Sequence, residues 1–393
     1  MGRLRVAIDA RQLWELGIGT YVRNLLGGFA RAGEELDLTL LLPPAPWVDT
    51  WTDPAAAAAG FPGATGGPTD PQAGPSSPQR VTSIWVTAGK HSLVQQITVP
   101  ARLSGRGLDL FHAPHYVCPL AVPCPLVVTV HDVIHLLFPQ FLSSGRRRVA
   151  RFLLAAATSR ARVVIADSRR TADDLAALFP RARRKLRVIY PGLSPSFLAG
   201  PPDPAQVAAF RAARRLPERY LLYVGAIRPH KNLRLLADAY AASGLAPEVG
   251  LVLAGETTAD RARLATQLQT DGGPGTKLLG RVPEADLPLL YAGATAVVLP
   301  SLYEGFGLTA VEAMASGVPV VASTGGSLPE VVGDAGLLIP PEDQDRWRTA
   351  LIQVVGDAAL RAELIARGRA RAAEFSLERF ASETLAVYRE AAG

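Results

Sequence analysis

The run Tyr303-Glu304-Gly305-Phe306-Gly307-Leu308-Thr309-Ala310-Val311-Glu312 carries two glutamates eight positions apart, and its reading decides the fold. Upstream, Leu290–Pro300 (LYAGATAVVLP) holds a short apolar stretch that reads as a strand. Downstream, Thr309–Ser316 (TAVEAMAS) reads as a helix that Gly317-Val318-Pro319 stops. Glu304 is therefore expected in the strand-to-helix loop and Glu312 inside the helix, about two turns further on. Gly305 and Gly307 let the backbone approach a ligand closely, and the N–H groups that open a helix attract an anion. A loop carboxylate, a glycine-flanked aromatic ring and a helix N-terminus together suit a phosphorylated, hydroxyl-rich molecule. Two surface acids on a solvated helix would account equally well for the spacing taken alone.

Working outward, strand-like runs alternate with helical patterns along the whole chain. Before residue 192 strands are expected at Leu4–Ile8, Leu36–Leu42, Leu108–Phe111, Leu126–Val130, Val163–Ala166 and Val188–Tyr190. Helices are expected at Gly19–Ala30, Ser92–Leu103 (broken or kinked near Pro100), Arg146–Ala157 and Thr171–Leu178. The stretch Pro54–Arg80 is rich in Ala, Gly, Pro and Ser and reads as a flexible surface insertion without a core. Pro191–Pro202 reads as a hinge, after which the alternation restarts. There it gives strands at Tyr220–Val224, Gly250–Ala254, Lys277–Leu279, Ala296–Leu299, Val318–Ala322 and near Leu337. Helices are expected at Asn232–Ala242, Asp260–Gln269, Asp286–Ala292, from Thr309, and from Asp343 to the end. The pattern predicts an α/β protein of two parallel-sheet, Rossmann-like domains. Residues 1–192 form the first, with 54–80 as its insertion, and 193–375 the second. A C-terminal helix over 376–393 is expected to cross back to the first. Ligands of such sheets bind at the carboxyl ends of the strands, so the expected site is a cleft between the two domains.

Composition narrows the function. The chain has 393 residues, 48% of them apolar, enough for sizeable cores. No apolar run reaches the ~18–20 residues that span a bilayer, and MGRLRVAIDARQL lacks the apolar core of a secretion signal. A cytoplasmic protein is expected. Cys118 and Cys124 are too few for a structural zinc site and are not spaced as CxxC. Residues 141–190 hold thirteen Lys/Arg against three Asp, a local charge of +10 in a chain of net +6. A basic face of this kind suits a phosphate-rich partner such as an anionic membrane, and an Arg-rich solvated surface accounts for it equally well. Nucleic acid is disfavoured, because few aromatics interleave the charges and no nucleic-acid motif is present.

Three further segments fall at strand ends. Gly17-Ile18-Gly19-Thr20-Tyr21 follows the first strand and opens a helix, and its glycines admit phosphate or sugar to backbone N–H groups. It is not GxGxxG, so it does not indicate a dinucleotide. His131-Asp132 follows Leu126–Val130, where a histidine can hydrogen-bond hydroxyls or shift protons. HDVIH lacks the glutamate of HExxH, so no zinc site is expected there. Gly225-Ala226-Ile227-Arg228-Pro229-His230-Lys231-Asn232 follows another strand, and Arg228 and Lys231 beside a helix start would clamp a diphosphate.

These segments, in order, resemble the retaining glycosyltransferases of family four, which have the two-domain fold called GT-B. The resemblance runs through IDARQLWELGIGTYVRNLL, TVHDVIHLLFP, VVIADSRRTADDL and LLYVGAIRPHKNL to EGFGLTAVEAMASGVPVVAS, which matches the family's E-x7-E signature. The resemblance implies that Glu304 lies beside the donor sugar and Glu312 holds the ribose hydroxyls. It implies that Phe306, Gly307, Leu308 and Thr309 contact sugar and diphosphate, that Lys231 binds the diphosphate, that His131 lies near the donor sugar, and that Gly19 approaches the phosphates. Many members carry an arginine where this chain has Ala226, and Arg228 and Arg281 are the two candidates to replace it. AIRPHKNL is similar to members that transfer mannose or related deoxysugars, a pointer to GDP-mannose.

The implied activity is metal-independent transfer of a hexose from a nucleoside diphosphate sugar to a carbohydrate or lipid-linked acceptor. No cofactor is expected, since the nucleotide sugar is a substrate. The single D-x-D, Asp343-Gln344-Asp345, opens a helix instead of following a strand. Glu304, His131 and Lys231 are the catalytic candidates, with Gly17 and Arg228 joining the donor-binding set. The rival readings are a GT-B sugar-nucleotide epimerase and a non-catalytic nucleotide-sugar-binding protein.

Overall fold

The computed structural model describes residues 3–15, 17–33, 35–43, 79–89, 92–256, 266–268, 270, 273 and 275–393. It contains two compact units, Met1–Gly192 with Ser376–Gly393, and Leu193–Phe375.

The first unit is built as β1 Leu4–Asp9, α1 Ile18–Ala32, β2 Leu36–Leu42, β3 Gln79–Trp85, α2 Gln95–Leu103, β4 Leu110–Ala113 and β5 Leu126–Val130, followed by α3 Ile134–Leu137, α4 Ser144–Arg160, β6 Val163–Ala166, α5 Arg169–Leu178 and β7 Leu186–Val188. Among the described residues its strands form one parallel sheet in the order β3-β2-β1-β4-β5-β6-β7. β4, β5 and β6 are buried along their whole length, which is why they read as continuous apolar runs without alternation. One face of the sheet packs on α1, and the other on α2, α4 and α5 through Val99, Leu103, Leu154, Ala157 and Leu175.

The second unit runs α6 Pro204–Arg214, β8 Tyr220–Val224, α7 Leu233–Ala241, β9 Gly250–Ala254, β10 Thr276–Gly280, α8 Leu287–Ala292, β11 Ala296–Leu299 and α9 Leu308–Ala315. It continues with β12 Val320–Ser323, α10 Leu328–Val332, β13 Gly336–Ile339, α11 Gln344–Gly356 and α12 Ala358–Ala372. Its described strands form a second parallel sheet, β10-β9-β8-β11-β12-β13. The last helix, α13 Leu377–Ala392, belongs to the first unit. Its residues Leu377, Phe380, Ala381, Thr384, Leu385, Tyr388 and Ala391 recur at three- and four-residue steps and are buried. Gly28 of α1 is what lets the two helices meet, because a Cβ there would fall 2.7 Å from the Leu377 carbonyl oxygen.

In both sheets the strand order reverses beside the first strand, between β1 and β4 and between β8 and β11. Loops leaving the carboxyl ends of such a pair diverge and open a crevice.

Several expectations are corrected. The insertion read over 54–80 ends too late: Gln79 and Arg80 already belong to β3, which pairs along its length with β2. Along Arg80–Trp85 exposed residues are interspersed with more buried ones, as befits a strand at a sheet edge. Residues 54–78 lie outside the described residues, as does most of the helix expected over Asp260–Gln269. α2 starts at Gln95 instead of Ser92 and continues through Pro100 to Leu103. β12 begins at Val320 instead of Val318, because Pro319 has no N–H to donate; its carbonyl still accepts from Val297 N at 2.8 Å.

Candidate active site

In the second unit the chemistry collects at the β8/β11 reversal. The loop after β8 ends in Lys231, and the loop after β11 carries Glu304. The Lys231 ammonium donates to both Glu304 oxygens, each at 2.7 Å, and the Ser301 hydroxyl donates to Oε1 at 2.6 Å. Both charged side chains are mostly buried, at 18% and 17% exposure, so the pair is poorly screened by water. Burial alone would raise the Glu304 pKa, but Lys231 and Ser301 outweigh it and hold the carboxyl below its ordinary value. Glu304 is thus an ionised acceptor with its oxygens already occupied.

α9 opens directly after this loop. Gly307 is its N-cap in the left-handed region (φ 96°), a position that favours glycine. A Cβ there would also come within 2.8 Å of the Leu328 side chain. Leu308 and Thr309 begin the helix, and Phe306 is buried, edge-on to Phe375 with ring centroids 5.5 Å apart. Glu312 lies on the buried face of α9, and the Tyr291 hydroxyl donates to its Oε2 at 2.7 Å. Among the described residues no cation offsets this carboxyl, and burial pushes its pKa up to about 7 in spite of the Tyr291 bond. Glu304 and Glu312 thus sit in opposite electrostatic environments, one kept ionised and one poised near neutrality.

The Arg228 and Arg281 side chains are exposed, and among the described residues neither makes a hydrogen bond or ion pair, while the Arg228 carbonyl accepts from Lys231 N at 2.9 Å. Lys231, by contrast, is held by Glu304.

In the first unit Gly17 is the N-cap of α1, with φ 77° and nothing near its missing Cβ. Gly19 lies inside α1, and its Cβ would fall 2.6 Å from the Leu13 carbonyl oxygen and 2.7 Å from that of Gln12. Its smallness thus serves the packing of the chain's own loop. His131 follows β5, and its ring lies between groups from the two neighbouring strand ends. Nδ1 is 2.6 Å from Asp167 Oδ2, after β6, and Nε2 is 2.8 Å from the Pro114 carbonyl oxygen, after β4. Tyr21 of α1 meets the ring edge-on at 4.9 Å between centroids. Burial favours the neutral imidazole, but Asp167 and the Pro114 carbonyl prevail, and the His131 pKa is raised. A buried relay backs this corner: Tyr388 hydroxyl to His112 Nδ1 at 2.6 Å, His112 Nε2 to Thr129 Oγ1 at 2.8 Å, and Thr129 Oγ1 to the Tyr21 hydroxyl at 3.0 Å.

Several neighbours of these residues were not singled out in the sequence. Ser327 donates from its backbone N–H (3.0 Å) and hydroxyl (3.1 Å) to the Glu304 carbonyl, and from its hydroxyl to the Phe306 carbonyl at 2.7 Å. Gly326 (φ 64°) sits so close that a Cβ would lie 2.2 Å from the Glu304 carbonyl oxygen. The signal was the glycine pair in Ser323-Thr324-Gly325-Gly326-Ser327, directly after a buried strand. Asp167 carried the same kind of signal, a carboxylate directly after the apolar run Val163–Ala166.

Comparison with known proteins agrees with this architecture. Residues 17–197 match the family described as Glycosyltransferase Family 4, and residues 207–371 match Glycosyl transferases group 1. The chain is 32% identical over 284 residues to the O-antigen chain mannosyltransferase B of Escherichia coli, covering 71% of this chain and 74% of that one. It is 34% identical over 249 residues to a D-inositol 3-phosphate glycosyltransferase of a Nocardioides species, covering 58% of this chain and 54% of that one. The structure of Anabaena HepE, solved with UDP and glucose, matches at a TM-score of 0.74 and 20% identity, over 99% of this chain and all of that one. The fold is GT-B, and the chain belongs to the family-four glycosyltransferases. It is a glycosyltransferase.

Proposed function

We propose that the protein transfers a hexose, with retention and without a metal ion, from a nucleoside diphosphate sugar to a hydroxyl acceptor, and that GDP-mannose is the donor. The observation that carries this reading is the Lys231–Glu304 pair at the β8/β11 reversal, with α9 opening beside it and Glu312 two turns along. In the second unit, the N-terminal N–H groups of α9 and the third N–H of Lys231 stabilise the charge on the departing diphosphate. Glu304 fixes the ammonium and offsets positive charge at the anomeric carbon. Glu312 has one oxygen bonded to Tyr291, and its other oxygen accepts from the ribose hydroxyls. The anomeric carbon's bond to the diphosphate oxygen breaks as the acceptor oxygen attacks the same face. The acceptor's proton passes to the leaving phosphate. Lys231 and the α9 N–H groups meet the developing charge, so the step has no need of a divalent ion. The mannosyltransferase relative supports mannose, and HepE with UDP and glucose supports a nucleotide-sugar donor. Incubation with GDP-mannose, UDP-glucose and related donors, with anomeric configuration read by NMR, tests the reading. It fails if no nucleotide sugar is turned over or if the product anomer is inverted.

A basic, apolar surface on the first unit favours a carbohydrate acceptor carried on a lipid, with the protein docked on an anionic membrane. α4 exposes Val149 (58%) and Phe152 (70%) among Arg146, Arg147, Arg148 and Arg151, and α2, on the same face of the sheet, exposes Ile97 (75%). Among the described residues no helix is long and apolar enough to cross a membrane, so the contact is peripheral. Anionic vesicles should sediment the protein at low salt and release it at high salt. Equal partition of wild type and an Arg146/Arg147/Arg148→Glu variant into anionic and neutral vesicles would remove this part.

A further inference from the structure

We infer that Asp167 is a positioning residue that keeps His131 doubly protonated, so that His131 serves the reaction as a fixed cation and never as a general base. The inference rests on the transfer proposed above and adds a residue to it.

The geometry is a matter of counting protons. A neutral imidazole has one N–H and one lone pair. His131 Nε2 faces the Pro114 carbonyl oxygen at 2.8 Å, and that oxygen can only accept, so Nε2 carries a proton. Nδ1 faces Asp167 Oδ2 at 2.6 Å, and one proton must lie between them. Imidazole is the more basic partner by more than two pKa units in water, so that proton belongs to the ring. Both ring nitrogens are then N–H donors and no lone pair is left to accept a proton from an acceptor hydroxyl.

The surroundings reinforce the charge. The Asp167 side chain is only 7% exposed, and among the described residues its buried Oδ1 has no hydrogen-bond partner. Neutralising His131 would leave that buried carboxylate without its counter-charge, which is costly. Asp132, beside His131, adds a second negative charge, and its Oδ1 accepts from Ile134 N at 3.0 Å. The other groups against the ring do not compete for the proton. Tyr21 of α1 is buried, and burial keeps it a phenol. His112 of β4 is also buried and stays neutral, its pKa lowered to about 3 by burial and by the His131 charge. Thr171 of α5 donates to the His131 carbonyl at 3.3 Å and does not touch the ring nitrogens. The ring stays 19% exposed at the carboxyl end of the sheet, where an immobile positive charge meets an anionic substrate.

The chain has six histidines, so selective labelling gives a readable spectrum. In ligand-free protein labelled with 15N-histidine at about pH 7.5, both His131 ring nitrogens should show imidazolium shifts, assigned by their loss in His131→Gln. In Asp167→Asn the same ring should turn neutral. Donor turnover by Asp167→Asn should fall about tenfold at about pH 8 and recover towards about pH 6, as the ring regains its proton, with donor KM changing far less. A purely structural role would lower stability without giving this pH profile. A neutral His131 in the wild type overturns the inference, as does an Asp167→Asn enzyme with the wild-type pH profile. The spectrum needs no substrate, so it stands or falls separately from the proposed transfer.

Discussion

Replacing Glu312 by Gln tests the electrostatics of α9 in two ways that move in opposite directions. Gln keeps the shape and can still accept from Tyr291, but it cannot ionise. In the folded protein burial raises the Glu312 pKa from 4.5 to about 7. A carboxyl raised in this way contributes most to stability while protonated, below its unfolded value, and loses the contribution as pH rises through its folded value. The shift corresponds to about 3 kcal/mol, lost by the wild type between about pH 4.5 and about pH 7.5 and not by the variant. Denaturant unfolding at intervals across that range should show the stability of Glu312→Gln gaining on the wild type as pH rises. Nucleotide binding should run the other way. A ribose hydroxyl bonds more strongly to a carboxylate than to an amide, so the variant should lose about 1.5–3 kcal/mol of nucleoside diphosphate affinity by calorimetry. Wild-type affinity should rise as pH passes through about 7, while the variant's stays flat. Stability curves that stay parallel across the range would refute the buried, uncompensated carboxyl. Unchanged nucleotide affinity would refute the ribose role while leaving the electrostatics intact.

Lys231→Ala should lower turnover roughly a hundredfold by removing charge stabilisation from the leaving diphosphate, measured as kcat with saturating donor. Activity should survive EDTA; full dependence on added magnesium or manganese would overturn the metal-free mechanism. Gly326→Ala places a Cβ 2.2 Å from the Glu304 carbonyl oxygen, so the loop must move; a loss of about 1–3 kcal/mol in stability and a lower kcat are expected, and wild-type values for both would show that the loop yields freely. Tyr388→Phe removes the 2.6 Å bond to His112 and should cost about 1–3 kcal/mol in denaturant unfolding, since it leaves a buried ring nitrogen without its partner.

What the sequence disclosed and what it hid divide along a physical line. The Glu304 loop was legible because its features are local: an apolar strand, glycines at the turn, and a helix that starts within five residues. β5, β6, β8, β9 and β11 were legible because both their faces are buried, leaving continuous apolar runs between polar turns. β3 was hidden because its polar pairs Gln79-Arg80 and Thr82-Ser83 break both an apolar run and a period-two pattern, and it follows a long stretch of low complexity. The Lys231–Glu304 pair was hidden for a different reason. Its partners are 73 positions apart and meet because β11 lies beside β8 in the sheet, which is a property of strand order. The same holds for His131, whose partners Pro114 and Asp167 come from the strands on either side of β5. Gly19 was placed correctly in sequence but explained differently, since only the folded loop reveals the Leu13 and Gln12 carbonyls that exclude a side chain.

The protonation states of the candidate groups bear on where the acceptor's proton goes. Glu304 has three hydrogen bonds donated to its oxygens and a pKa held below the ordinary carboxylate range. So placed, it is a weak base and a poor nucleophile near neutral pH. His131 has acceptors at both ring nitrogens and so no lone pair to offer. Glu312 does titrate near neutrality, but its proposed partner is the ribose, remote from the bond that breaks. Each side chain that the spacing singles out for acid–base work is thereby committed to another task. In the proposed transfer, the strongest base left beside the anomeric carbon is the oxygen of the departing diphosphate, which gains negative charge as its bond breaks. The arrangement therefore favours same-face attack with the leaving group as proton acceptor over a double displacement through Glu304. Trapping tests this choice: a fluorinated donor that slows breakdown of a glycosyl-enzyme should leave no sugar on Glu304 by mass spectrometry, and a labelled Glu304 peptide would reverse the conclusion.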